Sequence, residues 1–334
     1  MASLLVLGVA RAEVGAPAPY GGNVPPYSAP PPYAPSAYAA PPPVSTATDL
    51  EVGTLYGFSA GYGVGVGIWL DAELSIDDPG LKFMAPAILG VAAPVGVFFL
   101  DRPRMPRGMP AAIAAGMAIG AGEGAGIASY QFVHSDAADA WGFRAFARSV
   151  FLGSTVGTLG GYLTAVTMEP SPKTSLLLGS TAVWGTVVGS MFGYGGSKAG
   201  SEFGDANDSA ALGGLVGYNV GLVGAAALST MWVPTYPSLT WMWIGFGAGA
   251  GVSLPVFLFY AGGDHDARRG LIFMGTAATL GLVAGAVFTV DSKELGQSSG
   301  PGHLADRPAW VQITAGGLMP VPGGIGFQLS GLLF

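Results

Sequence analysis

The chain has no cysteine among its 334 residues and only three histidines. That absence excludes disulfide staples, thiol nucleophiles, thiolate metal sites and a lipid-bearing cysteine near the N-terminus. Charge is scarce too, with Lys, Arg, Asp and Glu together making up 10% of the residues. A soluble domain of this length needs more polarity to coat its surface. Basic residues are the rarer sign, 13 against 20 acidic, for a formal charge of -7 and a pI near 4.8. They are scattered and form no cluster that could neutralise phosphates, so nucleic acid is not an expected partner.

What the chain has in excess is apolar surface and glycine. Half of the residues are hydrophobic and mean hydropathy is +0.51. The 56 glycines are not spread at random. They recur every fourth residue at Gly53, Gly57, Gly61, Gly65; at Gly116, Gly120, Gly124; at Gly153, Gly157, Gly161; at Gly185, Gly189, Gly193; and at Gly213, Gly217, Gly221. In a water-exposed helix each would cost about 1 kcal/mol relative to alanine. A bilayer reverses that balance, because hydrocarbon forces the backbone to satisfy its own hydrogen bonds and small-xxx-small faces let helices approach closely. These glycines are therefore expected to be helix-packing positions in an all-α membrane protein.

Along the chain, residues 1–12 read as an export signal, possessing the apolar core Leu4–Val9 and an Ala10-Arg11-Ala12 cleavage pattern but no basic residues before the core. Residues 13–49 read as a Pro/Tyr/Ala-rich linker without a core of its own, including Pro30-Pro31-Pro32-Tyr33 and Pro41-Pro42-Pro43. Residues 50–291 form the expected helical membrane domain, with about eight apolar segments near 53–70, 83–100, 109–133, 146–168, 174–196, 210–233, 238–262 and 270–290. The first two are short, and Pro86 and Pro94 suggest a kink or a re-entrant turn in the second; Pro255 should bend the seventh. Pro110 suits a first helical turn, Asp208 or Ser209 a cap for the sixth segment, and Ser238 the start of the seventh. Leu152-Gly153-Ser154-Thr155, Leu178-Gly179-Ser180-Thr181 and Met274-Gly275-Thr276 repeat weakly, as duplicated helical hairpins would.

Residues 292–307 form a polar loop, and residues 308–334 read as a β-hairpin: Trp310–Thr314 and Ile325–Leu329 flank a turn of Pro320, Pro322, Gly323 and Gly324. The chain ends on Phe334, which resembles the terminal strand of outer-membrane barrel proteins. An outer-membrane β-barrel is accordingly the rival architecture, supported by the alternation in Gly61–Gly67 and Gly245–Gly251. Runs such as Leu254–Tyr260, with almost no polar side chain for a lumen, favour helices. Loop charges choose no orientation: Lys82, Arg144, Arg148, Lys198, Arg268 and Arg269 fall on one side of an eight-span arrangement, and Arg102, Arg104, Arg107, Lys173, Lys293 and Arg307 on the other.

Few residues carry chemistry. Gly57-Phe58-Ser59-Ala60-Gly61 matches a nucleophile elbow, which needs a strand-to-helix turn and downstream partners, whereas here it lies within a glycine stripe. Asp264-His265-Asp266 and Asp205-Ala206-Asn207-Asp208 superficially suit metals, yet the second lacks the turn glycine and bidentate Glu of a calcium loop. Both are expected to be solvated loops; no metal, cofactor or enzymatic activity is expected. Two polar residues stand inside apolar segments, Glu123 in the third and Asn219 in the sixth, beside Tyr218. A carboxyl at membrane depth costs about 2.5–3.5 kcal/mol on insertion scales, so it needs a partner, a proton or a wet cavity. Either the two residues line a ligand or ion path between helices, or they hold helices together by a hydrogen bond.

Over residues 53–290 the glycine stripes resemble those of glycine-zipper membrane proteins of the Gram-negative cell envelope. That class is defined by packing, so the resemblance implies a location and carries over no functional residue. The expected protein is an exported multi-pass membrane protein with a structural or interaction role, its partners the lipid bilayer, further copies of itself or other envelope proteins. A channel or transporter using Glu123 and Asn219 is the alternative. Nothing in the residues separates inner from outer membrane.

Overall fold

A computed structural model describes residues 46–135, 139–198, 203–262 and 266–292, together with the backbone of 312–321 and 324–332. The expected export signal, the linker up to residue 45, the 293–307 loop and Asp264-His265 lie outside the described residues. Among the described residues eight α-helices follow one another: α1 Asp49–Leu74, α2 Met84–Leu100, α3 Met109–His134, α4 Phe143–Met168, α5 Pro172–Gly196, α6 Phe203–Ser229, α7 Tyr236–Ala261 and α8 Ala267–Phe288. Two C-terminal strands, β1 Gln312–Val321 and β2 Gly324–Leu332, pair antiparallel with an irregularity between Ile313 and Ala315. The alternating stretches Gly61–Gly67 and Gly245–Gly251 lie inside α1 and α7, which removes the main support for the barrel architecture.

Helix starts are set by local chemistry. Thr48 and Glu51 form a reciprocal capping box on α1, Ser171 caps α5 through Thr174 N–H, and Thr235 caps α7 through Ser238 N–H. Two expectations need correction. The sixth helix begins at Phe203, so neither Asp208 nor Ser209 is its cap. Asp205–Asp208 accordingly lies in the first two turns of a helix and not in a solvated loop.

Among the described residues seven helical segments are long and apolar enough to cross a membrane: Leu81–Leu100, which joins a single 3-10 turn to α2, and the helices α3 to α8. The exception is α1, which carries Asp49, Glu51, Asp71 and Glu73 near its two ends. Large apolar side chains point away from the protein along most helices, with Val223 71% and Val252 81% exposed, as surfaces that face lipid require.

The helices associate mainly as sequential pairs, α1 with α2, α3 with α4, α5 with α6 and α7 with α8. Smaller contacts join the pairs, with α3 touching α1, α5 and α6, and α5 touching α8. Two apolar clusters anchor the arrangement, one around Leu55, Val97, Ile113 and Met117, the other around Leu177, Trp184, Leu239 and Met242.

All four pairs are closed by backbone contact at glycine, and in three of them glycines of the two helices face each other reciprocally. A methyl group at Gly157 would overlap the Gly116 carbonyl oxygen, and one at Gly116 would overlap that of Gly157; Gly120 and Gly153 are related in the same way. Gly124 faces the Ser149 carbonyl and Gly161 that of Ala112. Between α5 and α6 the reciprocal partners are Gly185 with Gly217 and Gly189 with Gly213, while Gly193 meets Ser209 and Gly221 meets Thr181. A further set, not among the stripes read from the sequence, joins α7 to α8 through Gly245 with Gly281, Gly249 with Ala277 and Gly285 with Trp241.

On α1 the stripe is on the other face. Side chains at Gly53, Gly57, Gly61 and Gly65 would meet nothing within 4 Å, so these glycines are not helix-packing positions. The glycines of α1 that touch α2 are Gly63, under the Leu89 carbonyl, and Gly67, against Pro86. The Leu-Gly-Ser-Thr repeats also fall at unlike places: Gly153 packs on α3, Gly179 has open space and Gly275 rests on Met191 and Phe192. They do not mark equivalent positions in the helix pairs.

Candidate functional site

Glu123 lies near the middle of α3 and Asn219 near the middle of α6, and the structure brings them together. Asn219 Nδ2 donates to both carboxylate oxygens of Glu123, at 3.2 Å to Oε1 and 3.0 Å to Oε2, and also to the Leu215 carbonyl at 3.0 Å. Neither side chain is deeply buried, Glu123 being half-buried and Asn219 exposed, contrary to the burial expected from their place in apolar segments.

The neighbouring residue fixes this geometry. Tyr218 is buried, and its hydroxyl donates to the Ile119 carbonyl at 2.5 Å, one turn before Glu123 on α3. The ring passes over Gly122, where an added methyl group would stand 2.8 Å from the phenol oxygen. Gly122 thus admits Tyr218, Tyr218 pins α6 to α3, and the next residue on α6 reaches the next residue on α3. Tyr218 and Gly122 were not singled out from the sequence as site residues. The signal was there in an aromatic residue preceding an intramembrane Asn and a glycine preceding an intramembrane Glu.

Both polar residues line a lateral groove of about 950 Å³. Its walls come from α3, α4 and α6, with the first two turns of α5 closing one end, and Ala112, Ile119, Val156, Gly160 and Leu222 are among the lining residues. From Ala112 to Glu123 the groove follows α3 for about 16 Å at 1.5 Å per residue. That is roughly half of a 30 Å hydrocarbon core. At its outer end lie Thr174, Ser229 and Thr230, close to Pro170 in the α4–α5 connection. The hydroxyls of Ser229 and Thr230 donate to the carbonyls of Ala226 and Ala227, which leaves their oxygens as acceptors at the rim.

The other residues considered for chemistry are placed as follows. Ser59, in the elbow-like sequence, is buried inside α1 and donates to the Tyr56 carbonyl at 2.8 Å, so the strand-to-helix turn required of a nucleophile is missing. Asp205–Asp208 lies in the first turns of α6, where Asp208 Oδ1 stands 3.1 Å from His134 Nδ1 at the end of α3. Asp266 caps α8 and forms a two-pronged pair with Arg268, whose guanidinium also reaches the Ser197 carbonyl at the end of α5. That guanidinium holds the Asp266 carboxyl below the usual aspartate range. Among the described residues no group of three or more His, Asp or Glu side chains is arranged to hold a metal ion. Comparison of the chain with protein-family models, with curated proteins and with solved structures finds no match in any of the three.

Proposed function

We propose that this chain is a non-enzymatic, multi-pass integral membrane protein, exported to the bacterial cell envelope, whose role is structural or interactive. The observation that carries this reading is the pairing of an apolar exterior with glycine-to-glycine backbone contact inside the helix pairs. Close approach of backbones rewards dispersion and weak Cα–H···O contacts, the forces left to helices surrounded by lipid. Export is supported by Ala10-Arg11-Ala12 and the uncharged Gly15–Pro43 stretch, and residues 308–334 are taken as a β-hairpin appended to the helices. Further copies of the chain or other envelope proteins complete the proposed set of partners.

Separation of inner and outer membranes after tagged expression, with circular dichroism of the purified protein, tests this reading. A carbonate-resistant, predominantly helical protein lacking residues 1–12, cut first by added protease within Gly15–Pro43, is the expected result. An intact N-terminus together with cytosolic recovery would overturn it.

One observation favours a second reading, a channel or transporter. The Glu123–Asn219 pair reaches groove space at the middle of the helices and not only a neighbouring backbone. In that case Glu123→Gln keeps the fold while abolishing flux in reconstituted vesicles. Quiet substitution by Gln, with stability lost only in Glu123→Leu, would leave the carboxyl as packing glue.

A further inference from the structure

We infer that the α3–α4–α6 groove is a binding site for a lipophilic cation, held in apolar contact along its length and paired at its inner end with the Glu123 carboxylate. The inference goes beyond the structural role proposed above and stands whether or not the groove conducts.

The electrostatics select the sign. Glu123 is the one ionisable residue among those lining the groove, and among the described residues no Lys, Arg or His lines it. Its polar neighbour is an uncharged amide, and Asn219 Nδ2 divides its two hydrogens among both carboxylate oxygens and the Leu215 carbonyl. The carboxylate thus retains acceptor capacity towards the groove without a counter-charge. An anion there would face a like charge in a medium of low dielectric constant, where repulsion is strong; a cation would supply the missing partner.

The shape selects the rest of the ligand. The volume of about 950 Å³ lies at the upper end of the roughly 300–1,000 Å³ of small-molecule pockets. The lining around Val156, Gly160 and Leu222 is apolar and opens to the side, so a hydrophobic body entering from lipid keeps its solvation while its charge reaches Glu123. A strongly hydrated inorganic ion would find almost no ligands along the same wall. Rim oxygens at Thr230 and Ser229 suit hydrogen-bond donors on the trailing end of an elongated molecule.

Tetraphenylphosphonium and tetraphenylborate have nearly the same size and shape but opposite charge, and they separate these terms. In purified protein at fixed detergent concentration, equilibrium dialysis should show the phosphonium bound at least about tenfold more tightly than the borate, a difference near 1.4 kcal/mol. Glu123→Gln should erase that preference chiefly by weakening the phosphonium. Gly160→Trp, at a position where a side chain meets open space, should block both ions by filling the groove. A second readout uses the unmodified chain: phosphonium, and not borate, should protect Glu123 from labelling by a hydrophobic carbodiimide, read by mass spectrometry. Equal binding of the two ions, a preference that survives Glu123→Gln, or labelling of Glu123 indifferent to phosphonium would each overturn the assignment.

Discussion

Glu51 Oε2 accepts the backbone N–H of Gly108 at 2.7 Å, joining the first turn of α1 to the residue that immediately precedes α3. The other carboxylate oxygen accepts the Thr48 backbone N–H at 3.4 Å and its hydroxyl at 3.1 Å, so one buried side chain both closes a capping box and clamps the α2–α3 connection. Gly108 itself has φ +85°, and a side chain there would overlap the Pro170 carbonyl.

Removing the clamp should therefore be felt in two helices at once. Glu51→Ala is expected to lower stability by about 1–3 kcal/mol, the cost of leaving a buried donor unsatisfied plus a lost cap. Thermal unfolding in detergent measures the loss, and hydrogen exchange at Gly108 locates it. Unaltered exchange at Gly108 in the variant would refute the clamp.

The glycine faces give a contrast that a generic requirement for small residues would not. Gly157→Ala and Gly189→Ala should each destabilise by about 1–3 kcal/mol, because the added methyl group meets a carbonyl oxygen that cannot move without separating the helices. Gly57→Ala and Gly61→Ala should be neutral or stabilising by up to about 1 kcal/mol, since they gain helix propensity and meet nothing. Chemical unfolding of the four variants in parallel decides the matter; equal losses on both faces would contradict the α1 geometry.

Much of the helical layout could be read from the chain because nearly every apolar run is bounded by charge or proline. The expected 174–196 segment is α5 Pro172–Gly196, and Pro110 does sit in the first turn of α3. Where the start of a helix is polar the reading failed: Asp205 and Asp208 look like loop, yet the opening of α6 projects beyond the apolar stretch. Which glycine face of α1 packs was not legible either, since Gly57-Gly61-Gly65 and Gly63-Gly67 share one spacing, and the choice rests on Pro86 and Leu89 of a different helix. The same holds for Gly245 and Gly249, whose period-two neighbours imitated a strand until Gly281 and Ala277 supplied the partner. For the candidate site, chemistry singled out Glu123 and Asn219 individually; their meeting depends on Tyr218 and on helix rotation, which no local pattern encodes.

Tyr218→Phe isolates that dependence. It removes the hydrogen bond to the Ile119 carbonyl while keeping the ring over Gly122, and the expected loss is about 0.6–1.5 kcal/mol. Gly122→Leu, which also expels the ring, should cost more and disturb the Glu123–Asn219 pair. A double-mutant cycle between Tyr218→Phe and Asn219→Ala should show coupling, whereas strict additivity would mean that the two residues act independently.

Acid should release the contact between α8 and the end of α5. The Asp266 carboxyl is held below its ordinary value first by the hydrogen bonds from Arg268. A depressed carboxylate stabilises the fold above its unfolded value of about 3.9 and loses that contribution as pH falls through the lower folded value. Asp266→Asn should therefore be less stable than the wild type at pH 7, with the difference fading below about pH 4. Melting temperatures of both proteins across pH 3 to 7 provide the test, and a difference that grows on acidification would reverse the sign.

The register that sets Gly116 against Gly157 and Gly185 against Gly217 also dictates an order of birth. Each of these contacts joins a helix to the very next one along the chain, so a pair needs nothing synthesised later to close. A ribosome that has delivered Met168 has supplied every glycine that locks α3 to α4, and the α5–α6 seam awaits only its own two helices. The connectivity thus permits folding by lateral addition of finished hairpins, with short-range closure and little time during which unpaired glycine faces meet the wrong neighbour.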